Sequence, residues 1–172
     1  MWEPVGVEDG AASAVTRATV AAVDDECVGE LYVSPLCTYS SGDRTVVLDL
    51  AYAKGAASLG VVATARVKEL RRMDAAARRA ARAERARLGM ERDSWGLSER
   101  GEFWTEATPY STGIAPLPAG TRCRVAVRID LDLGMVAFTR DNSTWSATIP
   151  RWTELSLAVV GARGCSYTLV QK

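Results

Sequence analysis

Polar and apolar residues alternate through the last third of the chain. Between Arg122 and Asp130, the residues Cys123, Val125, Val127 and Ile129 fall on one face, with Arg122, Arg124, Arg128 and Asp130 on the other. A period of two with opposed apolar and charged faces predicts a half-buried antiparallel strand. The turn residues Asp132-Leu133-Gly134 lead straight into Met135-Val136-Ala137-Phe138, so the two segments read as a hairpin. Earlier, strand-like runs cover Thr16 to Val23, Gly29 to Val33, Thr45 to Tyr52 and Ser58 to Ala63. Asp24-Asp25, Ser40-Ser41-Gly42-Asp43 and Lys54-Gly55 punctuate them. Strands resume at Ser94, broken by Gly101, the Pro109 to Pro118 loop, Asp141-Asn142 and the stretch from Gly161 to Gly164. Short strands spaced by turns predict an all-β sandwich of two antiparallel sheets.

A different pattern interrupts the strands. Ala65 to Gly89 is rich in Ala, Arg, Glu and Leu and holds no proline, which predicts one long helix of about six turns ending at Gly89. At 100° per residue, Leu70, Ala77, Ala81 and Leu88 share a narrow apolar stripe, and Arg71, Arg78, Arg82 and Arg85 stack beside it. Such a basic face either meets an acidic partner or a phosphate backbone, or is a solvated insertion. Without interleaved aromatics it is poorly suited to stacking single-stranded bases. The helix is expected to project from the sandwich and to be dispensable for folding. The domain plan is then an N-terminal extension over residues 1–15 and a sandwich over 16–172, with the helical insertion at 65–89.

Composition narrows the chemistry. The 172 residues carry 21 basic and 21 acidic side chains, so no global field steers the chain towards nucleic acid or membrane. Histidine is absent, which removes the histidine-based catalytic dyads and the commonest zinc ligand. Cys27, Cys37, Cys123 and Cys165 lack paired spacing and read as small buried thiols of a reducing compartment. Asp130 and Asp132 point the same way along the chain, and read as turn-capping carboxylates more readily than as an acid–base pair. The triplet Asn142-Ser143-Thr144 fits a glycosylation sequon but carries little weight without a secretion leader. The acidic start and the absence of a membrane-length apolar run point to an intracellular, cytoplasmic chain, with an organelle complex as the other location.

Taken in order, the two β halves resemble a B30.2/SPRY domain. Arg44 to Leu50, Lys54-Gly55 and Ser58-Leu59-Gly60-Val61-Val62 are similar to its acidic-centred strand followed by a strand reading "xGVa". Asp93-Ser94-Trp95-Gly96-Leu97 is similar to its tryptophan strand. Leu117-Pro118, Val125 to Asp130 and Gly134-Met135-Val136-Ala137-Phe138 resemble "L-D-x-x-x-G-x-V-x-F", and Ser156 to Gly161 with Ser166 to Val170 resemble its end. The likeness covers about Thr16 to Lys172. It implies two sheets packed face to face, with Trp95 and Phe138 in the core and a recognition surface on rim loops. Members bind peptides or protein surfaces and are not catalytic. Val160 stands before Gly161 where peptide-binding members often carry an aromatic residue, which argues against their peptide mode.

The resulting expectation is a non-catalytic module that binds a protein or peptide, needing no cofactor or metal. Trp104, Tyr110, Arg140, Trp145 and Arg163 are the candidate contact residues, because tryptophan, tyrosine and arginine dominate interface energetics. Arg71, Arg78, Arg82 and Arg85 form a secondary basic contact, RNA being a second class of partner for that face. The competing reading is a small structural subunit of a large, RNA-containing assembly.

Overall fold

The computed structural model describes residues 3–4, 17–19, 30–74, 77, 87–90, 92–151, 153–161 and 164–171. The elements bounded by described residues are, in chain order, β1 Glu3–Pro4, β2 Arg17–Thr19, β3 Glu30–Tyr39, β4 Asp43–Ala51, β5 Ala57–Ala63, α1 Thr64–Arg72, β6 Ser94–Ser98, β7 Glu102–Thr105, β8 Thr108–Ser111, β9 Arg122–Asp130, β10 Met135–Arg140, β11 Ser143–Thr148, β12 Leu155–Gly161 and β13 Ser166–Gln171. They form a seven-stranded sheet, β1-β3-β12-β5-β6-β7-β8, and a six-stranded sheet, β11-β10-β9-β4-β13-β2. All the pairings are antiparallel. Glu3–Pro4, inside the expected N-terminal extension, pairs with β3.

The alternation at 122–130 does what its period demands. Val125, Val127 and Ile129 point inward from β9, beside Val46 and Leu48 of β4 and Val136 and Phe138 of β10. Trp95, Phe103, Leu157 and Tyr167 join the same core. Asp130 is buried and accepts a hydrogen bond from the Leu133 N–H at 2.8 Å, while Asp132 accepts one from the Gly42 N–H at 3.2 Å. Both aspartates thus pin turns rather than face each other across a reaction site.

The expected helix is interrupted after its first part, Ala77 is again helical, and residues 75–76 and 78–86 lie outside the described residues. α1 ends at Arg72, because Met73 is extended (ψ 146°), and the Asp74 carboxylate takes a hydrogen bond from the Ala77 N–H at 2.7 Å. A short acidic side chain that bonds the backbone three residues on favours a new start over helix continuation. Nor does α1 project. Val67 and Leu70 are buried against Val33, Val62, Ala158 and Val160 on the outer face of the seven-stranded sheet, and Leu88 closes the same cluster. Of the predicted apolar stripe, Leu70 and Leu88 are buried, Ala77 is exposed, and Ala81 lies outside the described residues.

Residues 87–90 cross that outer face as a strap. The Leu88 N–H donates to Ser58 Oγ and the Gly89 N–H to Ser94 Oγ, both at 2.8 Å, and the Gly89 carbonyl accepts from the Ala107 N–H at 2.7 Å. Gly96 makes room for the strap. Gly60 and Gly96 face each other on β5 and β6, and a methyl at Gly96 would collide with the Leu88 side chain. Gly89 itself turns with φ +85°.

Candidate functional site

The flank where the two sheets open gathers the aromatic residues. Phe103 of β7 is buried, faces the core, and lies opposite Tyr110 in the β7–β8 register. Across the gap, Trp145 of β11 tilts over the Phe103 ring with centroids 4.2 Å apart, and Phe138 approaches the other side at 5.9 Å. Tyr110 is 49% exposed and Trp145 half-buried, so both border Phe103 from the solvent side. Two of the sequence candidates therefore neighbour Phe103, Tyr110 by strand register and Trp145 by ring contact. The residue beside both, Phe103, was not among the candidates; Glu102-Phe103-Trp104-Thr105 does not alternate polar with apolar, so strand register rather than sequence pattern turns Phe103 inward.

Trp104 alternates to the opposite face and belongs to the strap. Its indole N–H donates to Glu102 Oε2 at 3.1 Å, and the Arg87 guanidinium lies 6.0 Å from its ring centre. Arg87 is in turn held by Glu99, which is buried and bonds it through both carboxylate oxygens. The Ala57 N–H adds a third bond to Glu99 Oε2 at 3.1 Å. Burial works against the Arg87 charge, but the Glu99 hydrogen bond and attraction outweigh it and keep the guanidinium firmly protonated. This ion pair fastens the insertion to the sandwich and leaves neither charge for a ligand.

The remaining candidates separate. Arg140 extends the inward-facing row of Val136 and Phe138 on β10 and is 4% exposed, so it is an interior residue rather than a rim contact. It lines a cavity of about 10 Å³ with Glu99, Leu117 and Tyr167, room for a single water and not for a ligand. Tyr167 donates to the Val160 carbonyl at 2.7 Å, and burial pushes its phenol well up. Burial likewise raises the Cys123 thiol, away from nucleophilic character. Arg163 lies outside the described residues, as do Arg78, Arg82 and Arg85; Arg71 is exposed on the last turn of α1.

The outer face of the six-stranded sheet is charged but self-paired. Arg124 donates to Asp49 at 2.8 Å and Arg128 to Asp43 at 2.7 Å, across the β4–β9 register. These hydrogen bonds hold the Asp49 and Asp43 carboxyls below the usual carboxylate range. Among the described residues, no group of three or more His, Cys, Asp or Glu is placed to hold a metal ion, and no helix is long and apolar enough to cross a membrane.

No family model and no curated protein matches the chain by sequence. Its fold has clear counterparts among solved structures. The TRIM65 PSpry domain superposes with a TM-score of 0.63 at 13% identity, covering 99% of this chain and 91% of that one. The SPRY domain of human HERC1 gives 0.58 at 10% identity, covering 91% and 94%. Stonustoxin gives 0.60 at 12% identity over 83% of this chain, which spans only 21% of the toxin chain. With the two-sheet topology and the motif order agreeing, the chain has the B30.2/SPRY fold.

Proposed function

We propose that this chain is a non-catalytic protein-interaction module that engages a protein or peptide partner through the aromatic flank at Tyr110 and Trp145. One observation carries this reading. Tyr110 is among the few large hydrophobic side chains left substantially exposed, and it sits beside Phe103, already packed under Trp145. Exposed aromatic area over a rigid aromatic base resembles the anchor arrangement of binding hot spots, in which ordering the site costs little entropy. The resemblance of the fold to SPRY domains supports the reading.

Affinity capture with the intact chain as bait, compared with Tyr110→Ser, tests it. Tyr110 is exposed, so its replacement leaves folding intact, and the captured partner should be lost or reduced by about tenfold or more. Capture that is unchanged by Tyr110→Ser and by Trp145→Ala would sink the assignment to this flank. Reversal of Arg71 to glutamate is expected to slow association and flatten its salt dependence only where the basic stretch is a contact.

A further inference from the structure

Among the described strands, β11 is the least defended sheet edge. Of the outermost strands, β8 has four residues and includes Pro109, while the described residues of β1 and β2 include Pro4 and Arg17. Shortness, proline and charge blunt a sheet edge against pairing. β11 has six residues, Ser-Thr-Trp-Ser-Ala-Thr, with no proline, no charge and an unbroken register on β10. The two-residue turn at Asp141-Asn142 makes Arg140 and Ser143 a hydrogen-bonded pair. Alternation from there sends the backbone groups of Ser143, Trp145 and Ala147 to β10 and those of Thr144, Ser146 and Thr148 outward. The last three residues are exposed, and among the described residues no strand lies beside them.

That edge is complementary to itself. An antiparallel register centred on Ser146 sets Ser146 opposite Ser146 of a second copy, Thr144 opposite Thr148, and Trp145 opposite Ala147. Each outward-facing residue then meets an outward-facing residue, so about six backbone hydrogen bonds close. The half-buried indole meets a methyl on one side of the sheet and threonines meet on the other, both favourable cross-strand pairs. The same register carries Asp141, whose side chain is 83% exposed, towards the exposed Arg151 of the other copy. Neighbouring registers are poorer. Centring on Thr148 faces Ser146 with Pro150, which has no N–H, and centring on Thr144 runs Ser146 into the turn at Asn142. Zero net charge adds no repulsion between copies.

We propose that two copies of this chain pair antiparallel through β11, forming a twofold dimer in which the two six-stranded sheets become one. The contact is smaller than the roughly 800 Å² per partner of stable complexes, so the dimer is weak and concentration-dependent. The proposal does not rest on the partner contact at Tyr110, although Trp145 borders both surfaces.

Sedimentation velocity of the intact chain from about 10 µM to 1 mM tests it, with a reversible shift from monomer to dimer expected in that range. Ser146→Pro removes only an outward N–H and should weaken dimerisation at least tenfold, about 1.4 kcal/mol. Ser146→Lys and Ser146→Glu each place like charges on the twofold axis and should be monomeric alone, whereas their equimolar mixture should recover the dimer. Because that side chain is exposed, the charge pair decides the matter even where the proline variant folds poorly. A wild-type chain that stays monomeric throughout overturns the proposal, including the outcome in which β11 instead captures a strand of another protein. A dimer that survives both charge variants unmixed overturns β11 as the interface.

Discussion

The two sheets treat their outer faces differently. Strands β5 and β12 at the centre of the seven-stranded sheet, Ala57–Ala63 and Leu155–Gly161, are buried at every position. Their inner residues join the core, while Val62, Ala158 and Val160 lie under α1 and the strap. Strands β4 and β9 of the six-stranded sheet alternate through their middles between buried and partly or fully exposed positions, and their outer face carries Arg124–Asp49 and Arg128–Asp43. The described elements therefore stack in three layers, with α1 and the strap over the seven-stranded sheet and the six-stranded sheet facing solvent. The difference teaches that the insertion completes the fold: without it, an apolar sheet face would stand in water.

The comparison can be broken by substitutions on either side, beginning with what both sheets share. Phe138→Ala empties a fully buried site between the sheets and should destabilise by about 3–5 kcal/mol in denaturant unfolding. A loss below roughly 1 kcal/mol would contradict the inter-sheet core. Leu70→Ala on the covered face should cost about 2–5 kcal/mol, although it lies in the insertion. A negligible loss there would mean that the helix is an ornament after all. Glu99→Gln leaves the half-buried Arg87 without its counter-charge, with an expected loss of about 2 kcal/mol or more. It should also raise hydrogen exchange at Leu88 and Gly89 before the strands open.

On the bare face the effects should be small. Arg124→Ala should leave the melting temperature essentially unchanged, since exposed ion pairs are screened and cost side-chain entropy. A marked drop would show that the six-stranded sheet depends on its outer charges. The pH response is of the same order. Asp43 and Asp49 have depressed folded-state pKa values, so their contribution is present above the unfolded carboxylate pKa. It is lost as pH falls from about 4 through the folded values. Acid titration of Arg124→Ala should show a shallower loss than the parent, and added salt should reduce the gap.

What the sequence determined by itself is the set of strands whose chemistry alternates or runs apolar without a break. Arg122 to Asp130 could bury only one face, and Val125, Val127 and Ile129 are the residues it buried, with Phe138 and Trp95 beside them as the motif order implied. The continuous apolar runs at Ser58 to Ala63 and Ser156 to Gly161 already held the sign that both faces would be covered. What covers them was decided only by tertiary structure. Helix propensity favoured continuation from Ala65 to Gly89, whereas the observed helix stops at Arg72 and Asp74 bonds the Ala77 N–H. Leu88 packs over Gly96, and the Glu99 contact to Arg87 spans 12 residues of sequence. The same holds for the candidate site. Tryptophan, tyrosine and arginine could be picked by type, but Arg140 turned inward and Trp104 and Tyr110 took opposite faces, because strand register and not residue type chooses the side. Trp145 reaches Phe103, the register partner of Tyr110, because residues from the two sheets close over one ring.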